Sequence, residues 1–179
     1  DIFLFLQNKN YIIINRIYNL LIKVPLEFGL NTLNDYFYEF IKMQFLEIIK
    51  NIKEDNNIYI YDEFIKLLCN FTNIVKNYLH NNTIFNKTIK ISLTSILNNE
   101  EHKIDFSSLL AKYCDNFIKK SGKSDIEKIN LKINEIINMF SYLNDKDYFK
   151  FNYIKLLSKR LLKYNSISDI EKMIISKFK

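Results

Sequence analysis

Glycine and proline are almost missing from this chain, with two of the first and one of the second in 179 residues. Hairpins, sandwiches and phosphate-cradling loops depend on those residues, so their scarcity points away from β architecture and toward helices joined by polar turns. Cysteine is equally scarce. Cys69 and Cys114 are too few for a disulfide framework and fit a reducing compartment. No stretch approaches ~18 unbroken apolar residues, so no membrane span is expected. The opening Asp1-Ile-Phe-Leu-Phe-Leu has no basic leader and no small-residue cleavage site, which argues against a signal peptide. It reads as a cut inside a longer chain, and so does the closing Ser176-Lys-Phe-Lys179. The sequons at Asn70, Asn81 and Asn86 follow from the high asparagine content and carry no weight.

What is present is ordinary for a globular protein: 48% apolar and 26% charged residues, with length enough for one large domain or two small ones. The excess of Asn, Lys, Ile, Tyr and Phe matches AT-rich codons, and genomic drift explains it before function does. Its physical consequence is that packing must hold the helices, because Ile and Asn are middling helix formers. Charge is uneven. Residues 1–104 hold eleven basic and eleven acidic side chains, whereas 105–179 hold fifteen and nine, so the +6 excess lies in the second part.

Periodicity predicts helices over 11–23, 32–50 and 59–79, with Pro25 and Gly29 breaking the first from the second. Their apolar stripes are Ile13, Ile17, Leu20 and Leu21; then Leu33, Phe37, Phe40, Ile41, Phe45, Ile48 and Ile49; then Phe64, Leu67, Leu68, Phe71, Ile74, Val75 and Tyr78. Residues 83–97 place Phe85, Ile89, Leu93 and Ile96 at helical spacing, although their β-branched content leaves a strand as the competing reading. The polar stretch 98–103 marks a domain boundary. Beyond it, Ser107 or Asp105 can cap a helix bearing Leu109, Leu110, Tyr113, Cys114 and Phe117 that ends at Gly122. Ser124-Asp-Ile-Glu127 and Ser168-Asp-Ile-Glu171 both read as capping boxes, in which the serine accepts from a backbone N–H and the glutamate reaches back to another. The first opens a helix with Ile126, Ile129, Ile133, Ile136, Ile137 and Phe140. After the turn at 144–147, a further helix carries Phe149, Tyr153, Leu156, Leu157 and Leu161. The apolar run at 173–178 is expected to lack a partner in this chain, and self-association through it is expected.

Tests for chemistry mostly fail. His80 and His102 sit in different segments with no companion ligands at metal spacing. Cys114 lies on an apolar stripe and reads as a small core residue, with no histidine in view to activate it. Ser121-Gly-Lys-Ser124 resembles the end of a phosphate loop, but that loop needs a glycine where Phe117 stands and a strand where this chain has a helix. Asp145 and Asp147 could pass for paired carboxylates, yet capping the next helix is the simpler role. One cluster survives. Lys119, Lys120 and Lys123 gather at a helix end, and Lys155, Lys159, Arg160 and Lys163 recur along another, with three lysines four apart on one face. Each lysine alone is a solvated side chain; together they could attract an acidic peptide or nucleic acid. Nucleic acid is the weaker reading, since the aromatics fall on core stripes and form no stacking platform.

Several motifs in register carry a resemblance. Leu109-Leu-Ala-Lys-Tyr-Cys-Asp115 followed by Lys119-Lys120, Asp145-Lys-Asp-Tyr-Phe149, Tyr153-Ile-Lys-Leu-Leu-Ser-Lys-Arg-Leu-Leu162, Asn165-Ser-Ile-Ser-Asp169 and Met173-Ile-Ile-Ser-Lys-Phe-Lys179 resemble, in order, the start of the cullin C-terminal region. Arg16-Ile-Tyr-Asn-Leu20 is similar to the start of the last cullin repeat. Tyr113-Cys-Asp115 and Asn165-Ser are closest to the cullin branch serving F-box receptors. The chain departs from the family at Tyr148, Ser158 and Asn152, with Phe151 beside the last.

The resemblance implies an all-α fold: a cullin-repeat helical bundle over 1–103, followed by part of a second helical bundle, the first helices of the C-terminal domain, over 104–179. It also implies a non-catalytic, rigid scaffold of a cullin-RING ubiquitin ligase without cofactors. The full-length protein would partner a RING-box protein, an E2 and an adaptor or substrate receptor, in cytoplasm and nucleus. Small molecules and membranes are not among the expected partners. The competing readings are an unrelated helical-repeat interaction module and a basic helical nucleic-acid binder.

Overall fold

In the computed structural model, residues 2–25, 28–52, 57–121, 125–164 and 168–178 are described. Among them are nine α-helices, one short 3-10 turn and no strand. The helices are α1 (Ile2–Gln7), α2 (Tyr11–Leu21), α3 (Leu30–Lys50), α4 (Ile60–Tyr78), α5 (Thr83–Leu97), α6 (Phe106–Lys120), α7 (Ile126–Ser141), α8 (Lys146–Tyr164) and α9 (Asp169–Lys177). The chain divides into two units, one of Asp1–Asn51 with Asp62–Ile96, the other of Ile52–Tyr61 with Leu97–Lys179.

The first unit is built on the stripes of α3 and α4. Leu33, Phe37, Phe40, Ile41 and Phe45 are buried on one helix, and Phe64, Leu68, Phe71, Ile74 and Val75 on the other. Their rings meet edge to face: Phe37 on Phe71 at 6.0 Å and 84°, Phe45 on Phe64 at 5.1 Å and 82°. Each such pair adds about 0.5–1.5 kcal/mol to the gain from burial. Gly29, the N-cap of α3, sits where a Cβ would fall 2.5 Å from the Leu21 carbonyl oxygen, so the close approach of the two segments requires glycine.

The stretch 83–97 is a helix, α5, despite its β-branched content. Its buried positions are Phe85, Thr88, Ile89, Ser92, Leu93, Ile96 and Leu97, a period that only a helix can turn to one side. The buried hydroxyls are satisfied: Ser92 donates to the Thr88 carbonyl at 2.8 Å, and Thr88 reaches Asn34 Oδ1 at 2.7 Å. Packing against α3, with Phe85 on Phe37 and Thr88 on Asn34, thus overrides local β preference.

The second unit gathers α6 to α9. Asp105 caps α6, accepting from the Ser108 N–H at 2.9 Å, and Asp145 opens α8, accepting from the Tyr148 N–H at 2.8 Å. Asn98 bonds the turn between α7 and α8 twice, donating to the Tyr142 carbonyl at 2.8 Å and accepting from the Asn144 N–H at 2.7 Å. Tyr61 is fully buried and donates to the Phe106 carbonyl at 2.7 Å, with its ring 5.6 Å from that of Tyr113.

Several local expectations are corrected. Ile126 is 70% exposed, because α7 turns Ile129, Ile133, Ile136 and Met139 inward instead. Ser124 and Gly122 lie outside the described residues; Asp125 is the cap of α7, accepting from the Glu127 N–H at 3.2 Å. Ser168 does cap α9 by accepting from the Glu171 N–H at 3.2 Å, but the Glu171 carboxylate turns inward to Arg160 and Tyr153. The run 173–178 has partners in the chain: Ile174 is fully buried, and Phe178 packs on Phe140, Phe149 and Tyr153 at centroid distances of 4.9, 5.1 and 5.7 Å. That removes the apolar face on which self-association was expected.

Candidate partner-binding face

The basic residues picked out by sequence do not stay together. On α8, Lys155, Lys159 and Lys163 are exposed, as their four-residue spacing requires. Lys119, in the last turn of α6, pairs with Asp115 one turn earlier at 2.5 Å, so part of its charge is already met. Lys120 lies over the ring of Tyr59 at 5.6 Å and donates to its hydroxyl at 3.3 Å. Lys123 is outside the described residues.

Arg160 leaves the set. It is only 6% exposed and faces inward between two carboxylates. Its Nη1 donates to Asp115, its Nη2 to Glu171 Oε1, and its Nε to Glu171 Oε2 at 3.1 Å. The Tyr153 hydroxyl also donates to Glu171 Oε1, at 2.8 Å, and the guanidinium carbon lies 5.6 Å from the Tyr153 ring centre. A planar fork matched to carboxylates is what distinguishes Arg from Lys here. A basic residue beside lysines reads as surface in the sequence, but its helical angle turns it toward α6 and α9. Desolvation pulls the guanidinium down, and the bonds to Glu171 and Asp115 outweigh that, holding it above its ordinary value.

Sequence reasoning missed Asp115 and Glu171 as members of this cluster. The signal was available: Asp115 adjoins Cys114 on an apolar stripe, and Glu171 lies three residues before the buried Ile174. The apolar side chains interleaved with the α8 lysines were missed as well. Phe151, Ile154 and Leu162 are 64%, 59% and 84% exposed, and the family departures at Tyr148, Asn152 and Ser158 share this outer side of α8. Asn152 and Ser158 each donate back to their own helix, to the carbonyls of Tyr148 and Ile154 at 2.9 Å.

Reactive groups are kept apart or capped. Burial pushes the Cys114 thiol well up, so it stays protonated and inert near neutrality. His80 stacks on Tyr18 at 5.3 Å, and His102 belongs to the 3-10 turn Glu100–His102. Asp145 is engaged by a helix N-terminus and Asp147 pairs with Lys150 at 3.5 Å, which accounts for both carboxylates. Among the described residues, no group of three or more His, Cys, Asp or Glu could hold a metal ion. None of the described helices is long and apolar enough to cross a membrane.

Comparison with known proteins decides the family. A family model described as the cullin alpha solenoid domain matches residues 2–179. The chain belongs to the cullin family. This cullin chain is 32% identical over 163 residues to Cullin-5 of Dictyostelium discoideum, a match covering 84% of the chain and 22% of that relative. It is 31% identical over 177 residues to Cullin-1 of Schizosaccharomyces pombe, covering 92% of the chain and 23% of the relative. Against Cullin-2 of Caenorhabditis elegans it is 30% identical over 161 residues, with 87% and 20% covered. The chain therefore spans about a fifth to a quarter of the length of these relatives. Relatives named as three different cullins match to a similar degree, so the comparison leaves the paralogue open.

Proposed function

We propose that this cullin chain is part of the non-catalytic scaffold of a cullin-RING ubiquitin ligase. The observation that carries the reading is the family match along residues 2–179. Family membership also removes the unrelated helical-repeat module as a reading. In the full-length protein, the scaffold holds an adaptor and substrate receptor at a fixed separation from a RING-box protein and its charged E2. Ubiquitin transfer is then accelerated by raising the effective concentration of substrate lysine at the E2 thioester, not by chemistry on the scaffold. Residues 1–103 are assigned to the last cullin repeat and 104–179 to the first helices of the C-terminal domain, an assignment supported by the order of motifs from Arg16 to Lys179. The place of work is cytoplasm and nucleus. Co-purification of the full-length protein with a RING-box subunit tests the reading, and its repeated failure under mild conditions overturns it.

The α8 face adds a finer proposal. Lys155, Lys159 and Lys163 attract an acidic partner segment such as an acidic E2 tail; Arg160 is excluded by its burial. Reversing the three α8 lysines to Glu in the full-length protein is expected to slow E2 recruitment and to flatten its dependence on salt. Recruitment that is unchanged in rate and salt response rules this face out. A nucleic-acid reading would instead require steep salt dependence of binding to RNA or DNA.

A further inference from the structure

Helix α9 is nine residues long and carries Met173, Ile174 and Ile175 in succession. Ile174 is fully buried, while its two apolar neighbours are half-buried. Rolling the helix by one position would bury Ile175 or Met173 in its place, at little difference in apolar area. Among Met173, Ile174 and Ile175, hydrophobic burial therefore discriminates poorly between neighbouring registers. Phe178 fixes the far end of the helix by ring contacts with Phe140, Phe149 and Tyr153, nearly two turns beyond Glu171.

Glu171 is different. It is 2% exposed and meets the Arg160 guanidinium along two N–H directions, while the Tyr153 hydroxyl occupies one of the same oxygens. A roll one way would bring Lys172 against Arg160; a roll the other way would bring Ile170. Either leaves a buried guanidinium with half its partners missing, a much larger penalty than any apolar mismatch. Asp115 on α6 holds the opposite side of the guanidinium, and Lys119 shares that carboxylate. The fork is thus referenced to α6 as well as to its own helix α8.

We propose that the Arg160 fork is a register lock: it selects one rotational seating of the first turns of α9 against α7 and α8, which the apolar side chains of those turns alone would leave degenerate. The lock acts through direction, not through net stabilisation, since a buried ion cluster is commonly replaceable by apolar groups without loss of stability.

Two variants of the intact protein test this. Arg160→Lys keeps the charge and removes the fork; the triple Arg160→Met, Asp115→Leu, Glu171→Leu removes the charges and keeps the volume. In both, the amides of α9 are expected to exchange about tenfold faster while those of α6 and α7 hold, as for a local rather than global opening. The methyl resonances of Ile170, Ile174 and Ile175 should multiply or broaden, and the triple variant should melt no lower than wild type. Unchanged α9 exchange with a single sharp methyl set in both variants overturns the proposal. Global unfolding of both overturns it too, by showing that the cluster carries stability and not register.

Discussion

Cys114, Tyr61 and Tyr153 are three ionisable groups of the second unit that burial pushes upward, with the Glu171 bond adding to the effect at Tyr153. For an acid that is neutral when protonated, a raised folded value means that the folded state keeps its proton where the unfolded chain has lost it. Stability is then complete below the unfolded values, about 8.5 for Cys and 10 for Tyr, and falls as pH rises beyond them. Thermal midpoints are expected to be flat through neutrality and to decline above about pH 9, with the onset of the decline moved higher in Cys114→Ala. A decline of equal size and onset in that variant would remove the thiol from the account. At Gly29 the constraint is steric. Gly29→Ala places a methyl against the Leu21 carbonyl and is expected to cost about 1–3 kcal/mol in denaturant unfolding. A variant of wild-type stability would show that the approach can relax.

Helices here are set by how each one is entered and what it turns inward. Asp145 stands at the start of α8 with its carboxylate on the Tyr148 N–H, so Asp145→Ala should lose about 0.5–2 kcal/mol, measured by urea unfolding. Asn98 fastens the turn before that helix through two backbone groups. Asn98→Ala is expected to raise hydrogen exchange at Asn144 without touching α3 or α4, and a uniform rise across the chain would contradict a local role. Tyr61→Phe removes the hydroxyl that donates to the Phe106 carbonyl from the start of α4, and about 1–3 kcal/mol should go with it.

For the whole molecule, the scaffold proposal requires that separation between the units be held. Cys69 is exposed and Cys114 buried, so with any cysteines outside these 179 residues replaced, Cys69 can be labelled selectively in the first unit. With a second label at Lys150→Cys on α8, the full-length protein is expected to give one narrow distance distribution by spin-label spectroscopy. A broad distribution would show a free hinge and end the rigid-scaffold reading, though not the family assignment.

Much of this was legible from the residues alone. Period and scarcity of glycine and proline pointed to helices, with only 83–97 left open to a strand, because a 3.6-residue stripe such as Leu33, Phe37, Phe40, Ile41 and Phe45 can be buried together only on a helix. The cap at Ser168 was legible because it acts within a single turn, and those at Asp105 and Asp145 were legible as one of two candidates each, beside Ser107 and Asp147. Tertiary structure alone decided the fate of groups whose meaning depends on distant neighbours. Arg160 looks like its lysine neighbours until α6 and α9 bring two carboxylates to it, and Glu171 looks like half of a capping box until Arg160 takes it. Residues 52–61 join the unit formed by a far later part of the chain, and Phe178 finds its ring partners on α7 and α8. Local chemistry writes itself into sequence spacing, whereas a charge becomes buried or a face becomes covered only through what packs against it.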